Sequence, residues 1–454
     1  MRSRARPPSA HPGNRRVRPK DVVFGRFDFV VVWLAAFAAS ALVGTHGIAY
    51  WDAGDYVRLA ISGGESGLFL GRPLFLLVSR LVLKAGVDPA HAEIVLRWFW
   101  TVAGTAAAPL LALLAARLGA DRASSLVAGL LLALSPSFAH TAHQVLTDAP
   151  ALALSIAALC LAARGQAVAG GLVLAAAIAT RETAVIHLFA VAWLCRRRAW
   201  LAVIVCVVSV GAVIVIWRPP SLGSWAGAMS SSATANPLSP LDVAIAFGWV
   251  LAAGPVPVVA GAVALARRIV TRPVAVIAWP AAIATIALLF YPDGSFSPRY
   301  MLATVPIACF IPAAFYLKAH RRLLAVSLAV PLAVALVAGQ QANRVAAYGA
   351  TLATRVSVLP KNAFVVPGHF CPQARLAATV HGRADLMFVC PGWEWPVDLV
   401  SLLENAIANG SIVAIDASPE AWVGRREQPL RDDVRAWLAR HATRHLAGFT
   451  VAGG

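Results

Sequence analysis

Between Val22 and Gln340 the chain is a succession of apolar runs separated by short polar segments. A membrane-crossing helix needs about 20 predominantly apolar residues. Eleven runs are predicted to cross: 28–49, 98–116, 124–140, 149–163, 167–180, 183–195, 199–217, 241–266, 273–291, 301–317 and 323–340. The run 73–86 is shorter and contains Arg80 and Lys84, so an interfacial or re-entrant helix is predicted there. The fold class predicted is an all-α polytopic membrane protein.

Composition excludes other classes of protein. Hydrophobic residues make up 59% of the 454 positions and charged residues 13%, whereas soluble chains average about 45–50% and about 25%. An ordinary soluble enzyme and a disordered protein are both excluded. The net charge of +18 is explained by position rather than by a nucleic-acid partner, because Lys and Arg gather on the cytoplasmic side of membrane proteins.

With a cytoplasmic amino terminus and a non-crossing 73–86, twenty of the 39 Lys and Arg residues lie on the cytoplasmic side. Nine of the twelve acidic residues before residue 341 then lie outside. We therefore expect a multi-pass protein of the inner or plasma membrane with this orientation. Residues 1–26 are predicted to be a basic, disordered cytoplasmic tail, and residues 27–340 the transmembrane domain.

Residues 341–454 are more charged, and parity places them outside the cell membrane. Strands are predicted at 362–366, 385–390, 411–416 and 445–451, alternating with helical segments near 371–380, 396–408 and 429–442. A small extracytoplasmic α/β domain is therefore expected. Its cysteines, Cys371 and Cys390, would meet an oxidising compartment, and both a disulfide and two buried thiols fit the sequence.

The first outer loop carries acidic residues directly after the first span. Asp52 and Asp55 are followed by Tyr56 and Arg58. A carboxylate backed by apolar surface at the interface is a candidate general base. The alternative is structural, because the spacing of Asp52 and Asp55 is also that of a capping box at a helix start.

The order of several short motifs resembles the GT-C superfamily of membrane glycosyltransferases, in particular the protein O-mannosyltransferases and the aminoarabinose transferase of lipid A (glycosyltransferase family 39-like). Those proteins have an acidic motif with a following Tyr, a Pro-Leu motif, an Arg that opens a helix, an Asp-Ala-Pro element, a Gly-to-Thr-Arg element and a late Pro-Arg-Tyr element. The matching positions here are Asp52 with Tyr56, Arg72-Pro73-Leu74, Arg97, Leu146 to Pro150, Gly170 to Arg181, and Pro298-Arg299-Tyr300.

The resemblance implies an inverting hexosyl or pentosyl transfer from a polyprenyl-phosphate sugar to a lipid, polysaccharide or protein acceptor. Asp52 would be the general base, and Asp55 would be a second catalytic residue that substitutes for the Glu of the usual Asp-Glu motif. Cations for the leaving phosphate would be Arg72, Arg97, Arg181 and Arg299, with Tyr56, Asp148, Glu182 and Tyr300 as further substrate-binding residues. Two departures, Asp52-Ala53 for the usual Asp-Glu and Arg72-Pro73-Leu74 for Pro-Pro-Leu, leave the sugar and acceptor open.

Each candidate also has a structural interpretation. Asp148 fits a helix cap, Arg181 and Glu182 fit a mutual ion pair, and Arg299 with Tyr300 fits a snorkelling cation beside an interfacial aromatic residue. Arg97, near a helix end, has the same explanation as Arg299. His140 and His143 lack an evident third ligand, so no metal site is predicted from them.

A divalent cation, held by Asp52 and Asp55 together with the donor phosphate, stays open as a cofactor.

Two other functions are alternatives to glycosyl transfer. One is a transporter or flippase of lipid-linked intermediates, which typically has ionisable residues near mid-membrane and repeated halves. The other is a catalytically silent relative that binds a partner. Acids gathered at one interface favour the transferase.

Overall fold

A computed structural model describes residues 24–45, 47–48, 51–63, 72–217, 244, 248, 254–289, 298–390, 398–422, 430–441 and 443–453. Most of the predicted tail and part of the predicted span 241–266 lie outside these ranges.

Eighteen α-helices form within the described residues. They are α1 (Arg26–Val43), α2 (Trp51–Ser62), α3 (Pro73–Lys84), α4 (Ala92–Thr105), α5 (Ala107–Arg117), α6 (Arg122–Ala133), α7 (Pro136–Ala142), α8 (Asp148–Ala163), α9 (Ala167–Thr180), α10 (Leu188–Cys195), α11 (Ala199–Trp217), α12 (Pro255–Ala266), α13 (Arg272–Leu289), α14 (Ile311–Leu317), α15 (Arg321–Ser357), α16 (Cys371–Val380), α17 (Leu399–Ala408) and α18 (Leu430–Arg440). Short 3₁₀ segments, among them Glu182–His187 and Pro298–Ala303, and one π-helical turn, Pro306–Phe310, join them.

Most described residues of the apolar runs are helical, which confirms a helical membrane fold. By length and hydropathy, four continuous segments suffice to cross a membrane: Arg26–Val43, Pro89–Arg117, Glu182–Trp217 and Arg321–Ser357. The pair α6 and α7, bent by 64°, makes a fifth if it is one span. Most of the other predicted crossings correspond to apolar helices of 10–17 residues, so the number of about eleven stays a prediction.

The helix bundle is apolar on its outside as well as in its core. Trp200, Val208 and Ile216 are 62%, 64% and 81% exposed, and many other large apolar side chains face outward. Such a surface requires lipid around it. Inside, small residues bring helices close together: a Cβ on Gly171 of α9 would lie 2.5 Å from the carbonyl oxygen of Ala202 in α11.

Helix α15 is a single element of 37 residues, which is about 55 Å long at 1.5 Å per residue. Its length exceeds the bilayer core of about 30 Å, so it extends beyond the predicted span 323–340. At its far end Arg355 pairs with the buried Asp416 at 3.1 Å, and the Tyr348 hydroxyl donates to Asp416 at 2.6 Å. Helix and sheet are thereby joined. Residue 341 lies inside α15, and the domain boundary placed there stays a prediction.

A five-stranded sheet follows, with β1 (Phe364–Val366), β2 (Met387–Phe388), β3 (Val413–Ile415), β4 (Thr443–Leu446) and β5 (Phe449–Ala452) in the order β2-β1-β3-β5-β4. The first three strands are parallel and the last two antiparallel. Helices lie in the three predicted segments, so the small α/β domain is confirmed. The single strand predicted at 445–451 is wrong, because Ala447 and Gly448 turn the chain through positive φ angles and split it into a hairpin.

Cys371 and Cys390 form a disulfide, with their Cα atoms 5.4 Å apart. The bond ties the start of α16 to the segment after β2. This resolves the alternative that the sequence left open, and the persistence of such a bond agrees with an oxidising compartment.

Denatured, unreduced protein should therefore expose four reactive thiols rather than six. Those of Cys160, Cys195, Cys206 and Cys309 are free, and Cys371 and Cys390 should become reactive only after reduction. Alkylation before and after reduction, read by peptide mass spectrometry, measures this. Labelling of Cys371 without reduction would contradict the pairing.

Candidate active site

Three places where helices begin or end come together in one buried cluster. Arg72 precedes α3, Thr147 and Asp148 begin α8, and Arg181 with Glu182 follows α9. Asp52 and Tyr56 reach the same cluster from α2. Six of the predicted site residues therefore meet in space, although they are separated by up to 130 positions in the sequence: Asp52, Tyr56, Arg72, Asp148, Arg181 and Glu182.

Arg72 is the centre of the cluster and is 3% exposed. Its Nη1 lies 3.8 Å from Oδ2 of Asp52, and its Nη2 lies 3.6 Å from Oε1 of Glu182. Its guanidinium also lies over the Tyr56 ring, 5.3 Å from the centroid. Both carboxylates are near enough for attraction but farther than hydrogen-bond length.

The backbone of Arg72 is strained, with φ 47° and ψ 54° in the left-handed region. For a residue with a Cβ this conformation costs about 1–2 kcal/mol. The contacts of the buried guanidinium hold it there. Strained residues of this kind are common at functional sites.

Arg181 makes the shorter ion pair. Its Nη1 donates to Oδ2 of Asp148 at 2.8 Å, and both side chains are at most 4% exposed. The Thr147 hydroxyl accepts from Arg181 and from Arg72, at 3.1 Å in each case. Thr147 thus bridges the two guanidinium groups. Its role was missed, although it stands inside the Leu146 to Pro150 motif.

The structure overturns three structural interpretations. Thr147, not Asp148, occupies the cap position of α8, and no side-chain cap bond is formed there. Arg181 pairs with Asp148 and Glu182 with Arg72, so they are not a mutual pair. The capping box at Asp52 is not formed either, because α2 begins at Trp51 and places Asp52 in its first turn.

Three side-chain oxygen atoms of the cluster are buried and have no hydrogen-bond partner among the described residues. They are the Tyr56 hydroxyl, Oδ1 of Asp148 and Oε2 of Glu182. Leaving such a group unsatisfied costs about 1–3 kcal/mol. A polar ligand with hydroxyl groups and acceptor oxygens would satisfy all three.

A cavity adjoins the Asp148–Arg181 pair. Its lining includes Ser155, His187, Leu302 and Ala303, from α8 and from the 3₁₀ segments Glu182–His187 and Pro298–Ala303. The late Pro-Arg-Tyr element therefore approaches the cluster along the backbone. Arg299 and Tyr300 belong to that segment, but their side chains lie outside the described residues.

Asp55 and Arg97 have other partners. Asp55 pairs with Arg58 one turn on, at 3.0 Å; burial raises the pKa of Asp55, and the charge of Arg58 partly offsets this. Arg97 lies 3.3 Å from Glu93 and donates to the carbonyl of Thr45. Arg97 is 5% exposed, so it is not a snorkelling residue. It fixes the chain after α1, and its role toward substrate stays a prediction.

Within the described residues, no three His, Cys, Asp or Glu side chains are grouped as metal ligands. Asp55 is engaged with Arg58 and Asp52 lies beside Arg72, so these two carboxylates do not by themselves form a cation site.

The α/β domain covers one side of the cluster. Helix α16 packs on α2, and a Cβ on Gly54 would lie 3.2 Å from Pro372. Leu376 joins the apolar cluster of Ala53 and Val57, and the charge of Arg375 acts on Asp55. The sequence does not predict this contact between α16 and α2. It depends on the small size of Gly54, which lies between Asp52 and Asp55, and a single glycine does not indicate which segment will pack against it.

The family described as dolichyl-phosphate-mannose-protein mannosyltransferase matches residues 80–253, a range that contains Arg97, Asp148, Arg181 and Glu182.

Two solved structures extend the comparison. ArnT from Cupriavidus metallidurans, bound to undecaprenyl phosphate, is similar at 14% identity and a TM-score of 0.60, covering 94% of this chain and 97% of that one. The oligosaccharyltransferase AglB from Archaeoglobus fulgidus, in complex with an inhibitory peptide and a dolichol-phosphate, is similar at 10% identity and a TM-score of 0.53, covering 94% and 74%. No curated protein sequence matches the chain.

Proposed function

We propose that this protein is an integral-membrane glycosyltransferase that moves a sugar from a polyprenyl-phosphate carrier to an acceptor hydroxyl at the outer face of the membrane. The observation that carries the proposal is the buried cluster around Arg72, in which cations, carboxylates and unsatisfied polar atoms converge at helix ends. The polyprenyl phosphates in the ArnT and AglB structures support a donor of this class.

The chemistry needs one base and a cationic site for the leaving group. The acceptor oxygen attacks the anomeric carbon, the bond from that carbon to the phosphate oxygen breaks, and polyprenyl phosphate leaves with the bonding electrons. Asp52 takes the acceptor proton as general base. Arg72 lies beside it and stabilises the negative charge on the phosphate, because guanidinium is always charged and binds phosphate oxygens in a fork. Attack opposite the leaving phosphate inverts the anomeric centre.

Other residues of the cluster position the substrate. Arg181 is committed to Asp148 at 2.8 Å and shares Thr147 with Arg72. This pair therefore holds the guanidinium of Arg72 rather than meeting the phosphate itself. The Tyr56 hydroxyl and the second oxygens of Asp148 and Glu182 are available to sugar hydroxyls.

The position of the cluster supports a transferase over a transporter or flippase. Arg72, Asp148 and Arg181 stand at helix ends, where a lipid phosphate lies. A secondary transporter typically has its ionisable groups near the middle of the bilayer.

Donor consumption tests the function. Membranes from cells with and without the protein are incubated with a panel of labelled polyprenyl-phosphate sugars, and envelope glycans are compared by mass. We expect one donor to be consumed only by membranes that contain the protein. In cells without the protein, we expect one glycan to be lighter by the mass of a pentose or hexose. If no donor is consumed and the glycans are identical, the enzyme proposal fails.

The proposed orientation has a separate test. The cation distribution places the amino terminus in the cytoplasm of an inner or plasma membrane and the α/β domain outside. A reporter enzyme that is active only outside the cytoplasm, fused after Gly454, should therefore be active. The same reporter fused before Met1 is the control and should be silent. Inverted activities would show that the orientation is reversed.

A further inference from the structure

We propose that the protein binds an anionic phospholipid in a basic pocket at the membrane face opposite the candidate active site. The pocket lies between the start of α1 and the ends of α5 and α8. Arg26, Arg117 and Arg164 line it together with Phe24, Phe29 and Leu113. Its volume is about 290 Å³. The phosphodiester would meet the arginines, and an acyl chain would lie along the apolar wall.

Helix lengths place the pocket and the active-site cluster at opposite faces. Helix α8 begins at Asp148 and ends beside Arg164, and its 16 residues span about 24 Å. Helix α1 runs from Arg26 toward Thr45, which binds Arg97, and its 18 residues span about 27 Å. Both lengths approach the bilayer core of about 30 Å, so the donor phosphate and the pocket are on different leaflets.

The charges in the pocket lack a counterion within the described part of the chain. Neighbouring cations are neutralised: Arg122 pairs with Asp28 at 2.7 Å, and Lys318 with Asp121 at 2.5 Å. Arg26, Arg117 and Arg164 form no ion pair with any described carboxylate. Arg117 and Arg164 are close enough for their charges to repel. An anion placed between them would relieve this repulsion.

The geometry favours a lipid over other anions. Arg117 is half-buried, and its Nη1 is fixed by donation to the carbonyl of Cys160 at 2.6 Å, so one donor is preset at the pocket wall. Val30 is 46% exposed and carries the apolar lining outward to the bilayer. Residues 1–23 contain seven Lys and Arg against one acid, Asp21, so the preceding chain carries a net positive charge of its own. Basic pockets between membrane helices are suited to anionic head groups.

Lipid retention tests the proposal. The full-length protein is purified in mixed micelles of phosphatidylglycerol and phosphatidylcholine, and bound lipid is counted by native mass spectrometry. We expect preferential retention of phosphatidylglycerol. The variant Arg26→Gln/Arg117→Gln/Arg164→Gln should lose the preference, since each removed arginine weakens retention about fivefold.

The matched control removes three exposed arginines from the same predicted face, as Arg196→Gln/Arg197→Gln/Arg198→Gln. It should retain phosphatidylglycerol as the unaltered protein does. If both triple variants lost phosphatidylglycerol equally, the retention would depend on net charge alone, and the proposed binding site would be wrong. Displacement of the lipid by millimolar inorganic phosphate would show a free-anion site instead, and would also overturn it.

If the triple pocket variant does not fold, the single variant Arg164→Gln, which changes an exposed side chain, tests the proposal instead. It should weaken retention about fivefold, and unchanged retention refutes the proposal. Because the readout is lipid binding at the opposite face, failure here leaves the proposed glycosyl transfer untouched.

Discussion

Replacement of Asp52 by Asn should lower kcat for sugar transfer by about 10²–10⁴-fold, the range supplied by a general base. Asn has the same shape but cannot accept the acceptor proton. The Asp52 carboxylate lies 3.8 Å from Arg72, and Asn keeps a side-chain oxygen that can face this cation, so we expect the folding stability to be largely kept. Transfer from a labelled polyprenyl-phosphate sugar in membranes, normalised to protein level, measures the effect.

Asp55→Asn is the matched control, since it is the same change three residues away in α2. Asp55 pairs with Arg58 on its own helix, a contact worth only about 0.2–0.5 kcal/mol. We therefore expect most of the activity to remain. Normal transfer by Asp52→Asn together with loss in Asp55→Asn would show that the base has been assigned to the wrong carboxylate.

Arg181→Met should destabilise the protein strongly, by about 3–5 kcal/mol, because it leaves the buried carboxylate of Asp148 without its partner. Removing both charges, as Asp148→Leu/Arg181→Met, should recover most of the lost stability, since a buried pair is often replaceable by apolar side chains. Transfer should stay low in both variants. Reversible SDS denaturation of the purified protein reports the free energy of unfolding.

Arg58→Met is the control for this pair, because its side chain is 26% exposed and such pairs contribute at most about 1 kcal/mol. A cost of Arg181→Met no larger than that of Arg58→Met would contradict the buried pair. If the double variant regained sugar transfer, the ion pair would have only a structural role, and Asp148 would not be a substrate-binding residue.

Much of this architecture follows from the sequence by simple physics. Apolar runs become helices because the bilayer leaves no other way to satisfy backbone groups, and the motifs found at their ends meet because adjacent helices end at the same interface. The roles of Asp52 and Arg72 stay predictions, but their proximity is now a structural fact.

Three features could not be predicted, each for a physical reason. Hydropathy falls after residue 340 while α15 continues to Ser357, because helix formation there depends on propensity and tertiary contacts rather than on lipid. The hairpin at Ala447 and Gly448 lacks the Asn-Gly signal that marks tight turns. Thr147 bridges two arginines that are distant in sequence, and only the fold brings them together.

Gly54 has a consequence for how the chain can be divided. Because α16 rests against α2 at this residue, with Leu376 over Ala53 and Val57, the α/β domain is part of the wall behind Asp52. A shortened chain that ends after α15 would uncover an apolar flank of the helix that carries the proposed base. The membrane portion alone would therefore lack one wall of the proposed active site, and replacing the α/β domain by another would require a surface that matches this one glycine.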